Sequence, residues 1–144
     1  MLIFVDFETN GLKGEIIEAC AIDEKNNLII KTNNNFNYFF NFILNYKIDN
    51  NNPYNIFVFW HNFMPNYLKR NYKDFHNKIE INYLIFNQIF CYINFNKDNK
   101  FKLNYTIYEI TFYLLKRHHL GMAENDCRDL IECFYKLKER IKYD

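Results

Sequence analysis

The chain has 144 residues, with 18 Lys and Arg against 17 Asp and Glu and a net charge of +1. That length suits one domain, residues 1–144, with a real core, and the near-neutral balance excludes a general electrostatic pull toward nucleic acid, so any attraction to phosphate must come from a local patch or a bound metal. No apolar run approaches a membrane span and the start lacks the marks of a signal peptide, so no membrane partner and an intracellular, cytoplasmic protein are expected.

The first stretch, Met1 to Leu12, reads as a buried strand running into a loop at Gly11. Its period of two puts Asp6 and Glu8 on the same side, where a carboxylate pair repels itself unless a cation sits between the oxygens. Hard divalent ions such as Mg²⁺ or Mn²⁺ prefer such ligands, so the two are read as metal ligands; the plainer alternative is a strand-end Asp and a surface Glu. Glu15 to Ile22 reads as a second strand, Asp23 to Asn27 as a turn and Leu28 to Thr32 as a third strand, an antiparallel meander. Asn33 to Asn35 offers a helix N-cap, followed by Phe36, Phe39, Phe40, Ile43, Leu44 and Ile48 at helical spacing. Asp49 to Asn55 is a polar loop around Pro53, and Ile56 to Trp60 a central strand buried on both faces, ending at His61 and Asn62.

A helix is expected from Pro65 through Phe75, with Lys69, Arg70 and Lys73 on its outer side. Ile79 to Phe95 fits a strand or hairpin, although Leu84 to Phe90 fits a helix equally well. Thr106 and Glu109 form a T-x-x-E capping box that opens a helix to about Arg117. A last helix, from Asn125 or Asp126, carries Cys127, Leu130, Ile131, Phe134, Leu137 and Ile141 on one stripe. Strands and helices in this order imply a mixed-sheet α/β domain.

Other chemistries find little support. The three glycines, Gly11, Gly14 and Gly121, cannot build a phosphate-cradling loop. Cys20, Cys91, Cys127 and Cys133 include no C-x-x-C pair, so buried free thiols are expected. The 12 Tyr and 16 Phe belong to a bias toward residues with A/T-rich codons, and most stand where other chains use Leu or Val.

Phe4-Val-Asp6-Phe-Glu8-Thr-Asn-Gly-Leu12 resembles the first motif of the DEDD superfamily of 3′–5′ exonucleases, the DnaQ-like, histidine-type branch with a ribonuclease-H-like fold. Ile16 to Ala19 is similar to that family's next strand, Phe59-Trp-His61-Asn62 resembles the start of its second motif, and Ala123-Glu-Asn-Asp126-Cys with the flanking helices resembles its third. The resemblance implies a ribonuclease-H-like mixed five-stranded sheet with flanking helices, two Mg²⁺ or Mn²⁺ ions, and hydrolysis of phosphodiester bonds at a DNA or RNA 3′ end. It also leaves room for a homodimer or a larger complex. Asp6, Glu8 and Asp126 would hold metal and be catalytic, with Asn66 weakly supporting the second ion, while Thr9, His61, Asn62 and Arg70 would meet substrate, although the strand-end hydrogen bond of His61's family position makes it more structural than chemical.

Two positions depart from that family. Asn66 stands where the second motif has a metal-binding Asp, and Gly121 where the third has its histidine base; Asp74 lies too far along to replace the former. His118 or His119 would have to supply the base, and His119 is taken for it. The plainer alternatives are a dipole-complementing helix acid at Asp126, solvated histidines at a helix end, and solvated faces at Lys69, Arg70 and Lys73 and at Lys116 and Arg117. A catalytically degenerate module of the same fold, binding nucleic acid or a protein, is the rival to the enzyme.

Overall fold

The computed structural model describes residues 1–11, 14–47, 55–97, 105–119 and 121–143. Its centre is β1 (Leu2–Thr9), in which Ile3 through Phe7 are all buried. β2 (Ile16–Asp23) and β3 (Leu28–Thr32) follow as the expected antiparallel meander. The first turn depends on glycine twice: Gly11 has φ +80, and a side chain at Gly14 would run into the carbonyl of Asn10. The second turn is tied by Asp23, whose Oδ1 accepts from the amides of Lys25 and Asn27 at 2.9 and 3.0 Å.

Helix α1 (Phe36–Asn45) starts at Asn35, whose side chain accepts from the Tyr38 amide, and buries Phe39, Phe40 and Ile43 as the periodicity requires. It ends at Asn45; Ile48 and residues 49–54 of the expected loop lie outside the described residues. Then come β4 (Ile56–Phe59), α2 (Phe63–Asn71), α3 (Lys73–Ile79), β5 (Tyr83–Ile85), α4 (Phe86–Lys97), α5 (Ile107–Leu115) and α6 (Ala123–Tyr143). The strand order is β3-β2-β1-β4-β5, with β4 parallel to β1 and β5 parallel to β4. The sheet is therefore mixed, and the domain is α/β.

Successive residues of β1 serve opposite layers. Phe4 meets Phe134 of α6 edge-on at 5.5 Å, whereas Phe7 meets Phe40 of α1 and Tyr67 of α2 on the other side. Helix α6 is locked to the sheet by its own polar groups as well as by packing. The Cys127 thiol donates to the carbonyls of Phe4 and Cys20, and the indole of Trp60, just past β4, donates to the carbonyl of Asp126 at 2.9 Å. All four cysteines are buried and unbridged.

Several expectations are corrected. The Ile79–Phe95 region is no hairpin: only Tyr83–Ile85 is strand, and Phe86 opens a helix that buries Phe86 and Phe90 one turn apart. Aromatics that favour strands serve here as helix core, so propensity yields to packing. The helix expected from Pro65 begins at Phe63, with Pro65 accommodated in its first turn, and is broken at Tyr72, whose ring packs 4.8 Å from Phe40. Helix α5 has its capping box, but stops at Leu115 because Lys116 turns left-handed at φ 60. Helix α6 starts earlier than expected, at Ala123, which puts Asp126 inside the first turn; its apolar stripe fades before Ile141, which is 51% exposed.

Trp60 is fully buried, and its indole joins the end of β4 to the first turn of α6. Trp60→Phe should lower stability by about 1–3 kcal/mol, read as a fall in the urea midpoint without loss of cooperativity, because it removes a buried donor and leaves a void.

Candidate metal and catalytic site

The acid site is built by β1 and α6 together. Asp6 and Glu8 leave β1 on the α6 side, flanking Phe7, and the strand bulges between Glu8 and Thr9 where its register against β2 shifts. Helix α6 brings Asp126 from above. One oxygen from each of Asp6, Glu8 and Asp126 lies within 4.8 Å of the others, the one such grouping of acids, histidines or cysteines found among the described residues. Asp6 is completely buried and Asp126 nearly so, while Glu8 is half-buried.

Among the described residues, neither oxygen of Asp6 has a hydrogen-bond donor, and Oδ1 of Asp126 receives no well-directed hydrogen bond, although His119 Nε2 lies in ion-pair contact with it. Buried carboxylates without donors are costly. Burial, then the charges of Asp126 and Glu8, push the Asp6 carboxyl well above its usual range. Burial chiefly, reinforced by Glu8, pushes Asp126 up to about 8. A hard cation fits this donor set: it is oxygen-rich, short of protons to share, and open on one side.

The open side is a cleft of about 380 Å³. Phe63 and Met64 of α2 form an apolar part of its wall, Ile107 and Tyr108 of α5 another, and His119, Gly121 and Met122 close it near α6. His119 is the second chemical centre. It is buried, its Nδ1 lies 2.6 Å from Asp129 Oδ2, and the ring of Tyr108 stands edge-on at 5.0 Å. Arg117 donates to the other oxygen of Asp129 at 2.5 Å and to Glu132 at 3.1 Å.

The remaining expected site residues divide sharply. Thr9 and His61 line the cleft, but both are committed to structure: the Thr9 hydroxyl donates to the carbonyl of Gly11 at 2.7 Å, and His61 Nε2 lies 2.7 Å from the carbonyl of Tyr105. Asn62 is exposed and accepts from Gln88; Asn66 and Arg70 are exposed on α2, and none of the three is among the described residues lining the cleft. Asp74 belongs to a different cleft, beside Asn37 and Phe40. Lys69 and Lys73 are exposed, Lys116 lies over the Tyr113 ring, and His118 packs beside Phe112. The sequence motifs do not single out Asp129, Tyr108 falls inside the T-x-x-E capping box with no role of its own, and Arg117 stands only beside Lys116 as a basic residue. The one available signal was the i, i+3 spacing of Asp126 and Asp129 on a single helix.

Comparison with family models, curated proteins and solved structures finds no match to this chain.

The raised acids set the pH response. Their folded pKa values exceed the unfolded value of 3.8, so between about pH 4 and about pH 8 the folded state holds protons that the unfolded state has lost, and stability falls as pH rises through that window. The Tm of the metal-free protein should therefore decline from about pH 5 to about pH 8, and Mg²⁺ or Mn²⁺ should raise it most at the alkaline end. Asp6→Asn should flatten the decline and remove the metal shift. A Tm indifferent to metal at both pH values would count against a cation site.

Proposed function

We propose that this chain is a metal-dependent 3′–5′ exonuclease that hydrolyses phosphodiester bonds at DNA or RNA ends, with a ribonuclease-H-like arrangement of its mixed sheet. The observation that carries the proposal is the convergence of Asp6, Glu8 and Asp126, with both Asp6 oxygens buried and without donors. A strand that served only the core would have little use for such a group. The antiparallel meander at the start of the sheet and the helices on both of its faces support the fold assignment.

Asp6, Glu8 and Asp126 would hold the metal. When bound, Mg²⁺ or Mn²⁺ supplies Lewis-acid stabilisation of charge on the phosphoryl oxygens and lowers the pKa of water. The chain's own contribution is geometric and protolytic. Burial fixes the acids, Phe63 and Met64 give the cleft an apolar wall, and His119 places Nε2 beside Asp126, where it can take a proton from an attacking water. His119 thus stands in for a base at Gly121, two positions away in sequence.

The rival reading, a degenerate module that binds nucleic acid or a protein without cleaving, is favoured by a specific observation. Asn66 replaces a carboxylate in the family motif and is exposed on α2 outside the described cleft lining, so α2 adds no anionic ligand there. Three acids suffice to anchor one ion and leave a second with fewer ligands.

A time course with 5′-labelled single-stranded DNA and RNA decides between them. A shortening ladder that requires Mg²⁺ or Mn²⁺ is expected, lost in Asp6→Ala, with kcat lowered about 10²- to 10⁴-fold in His119→Ala. Intact oligonucleotide throughout, from protein shown to be folded, would favour the binding module.

A further inference from the structure

Among the described residues a few aromatic side chains stand well out in solvent: Tyr38 and Phe42 of α1, Tyr92 of α4, and Tyr108 and Phe112 of α5. The α1 pair lean on each other at 5.9 Å, and neither they nor Tyr92 line the acid cleft. The α5 pair differ on both counts. Tyr108 and Phe112 are 62% and 55% exposed, and each is braced by a separate histidine of the connection that follows. Tyr108 stands edge-on to His119 at 5.0 Å, and Phe112 lies tilted by 31° against His118 at 5.7 Å. Tyr108 lines the cleft, and Phe112 is one helical turn farther along α5. Glu109, the one charged residue of that helix, is tied into the capping box with Thr106. An uncharged aromatic face therefore runs outward from the mouth of the cleft.

We propose that Tyr108 and Phe112 are stacking platforms for two successive unpaired bases, Tyr108 for the base at the 3′ end and Phe112 for the one before it, so that the substrate is single-stranded nucleic acid. The proposal rests on the acid cleft receiving a nucleic-acid end, as in the exonuclease reading. Charge and spacing both select this occupant. Arg117 serves Asp129 and Glu132, Lys116 lies over Tyr113, and the net charge is only +1. A duplex presents its phosphates and hides its base faces, so it finds few cations here to hold it. A single strand offers the faces themselves, and these bind aromatic rings without help from charge. Residues four apart on a helix are separated by about 6 Å along its axis. Bases within a duplex strand are about 3.4 Å apart. Bases that reach both rings are therefore drawn apart, which an unpaired strand allows and a paired stack resists.

The test is fluorescence anisotropy of the full chain with a 5′-labelled single strand of DNA or RNA, the corresponding blunt duplex, and an abasic strand of the same length. EDTA is present throughout, so that metal-dependent cleavage does not intervene. The unmodified protein should bind the single strand more tightly than the duplex or the abasic strand. Phe112→Ala and Phe112→Leu should weaken that binding by about 5-fold or more, whereas Phe112→Trp should retain it, because Leu keeps the apolar surface but not the π-face. Phe112 is exposed, so an unchanged Tm is expected for all three variants and verifies their fold. A single strand bound no better than the duplex or the abasic strand overturns the proposal, as does a Phe112→Ala protein that binds like the unmodified one. So does a dimer in sedimentation that Phe112→Ala splits, since the face would then belong to a second copy. The outcome is separable from that of the exonuclease reading. A metal-dependent ladder with unchanged KM in Phe112→Ala keeps that reading and removes this proposal; Phe112-dependent binding by a protein that cleaves nothing keeps this proposal and favours the binding module.

Discussion

Mutual repulsion among Asp6, Glu8 and Asp126 is the constraint around which the molecule is arranged. Three carboxylate groups within 4.8 Å, one of them wholly enclosed, oppose folding unless protons or a cation intervene. The raised pKa values of Asp6 and Asp126 are the protein's response in the metal-free state. The scaffold must therefore press α6 onto β1 firmly enough to hold the acids together, and the surrounding contacts do that. The Trp60 indole fixes the carbonyl of Asp126, and the Cys127 thiol, one residue on, reaches the carbonyls of both β1 and β2. Phe134, two turns further along α6, packs against Phe4 and Phe86.

This construction gives the cleft two unlike sides. The β1 and α6 side carries the charge, and the α2 side contributes Phe63 and Met64. The first side is suited to a hard cation, the second to excluding water from it. Asn66 is an uncharged amide that faces solvent on α2, so α2 adds no acid to the described cleft lining and the asymmetry belongs to the fold as well as to the composition. The chain's cationic side chains near the site are mostly engaged within the protein. Arg117 serves Asp129 and Glu132, and Lys116 lies over Tyr113. In the proposed exonuclease reading, phosphate would be drawn chiefly by a metal in the acid cluster, in keeping with a chain whose net charge is only +1.

Burial is also what makes His119 more than a loop histidine. Its neighbour His118 is exposed beside Phe112, while His119 turns inward against Tyr108 and α6. Adjacent residues in an irregular segment diverge in this way because backbone torsions there follow no period from which the direction of a side chain could be read. The same applies to Met122, whose φ of 100 sets up the first turn of α6 and so the height at which Asp126 enters the cluster.

Regular periodicity explains which features were legible in the chain. The alternation in β1 places Asp6 and Glu8 together, the meander follows from two turn signals, and the buried stripes of α1 and α6 follow from helical spacing; each depends on contacts between residues near in sequence. The short β5 and the helix at Phe86 were obscured because aromatic residues suit a strand and a buried helix face alike, and only the packing of Phe86 against Trp60 and Phe134 selects the helix. The tertiary structure alone decided which histidine enters the site, that Asp129 and Arg117 stand behind it, and that Asn66 stays outside the cleft lining. Each depends on how α5, α6 and α2 are set around β1, and that placement comes from side-chain packing summed over the whole core, which no local spacing encodes.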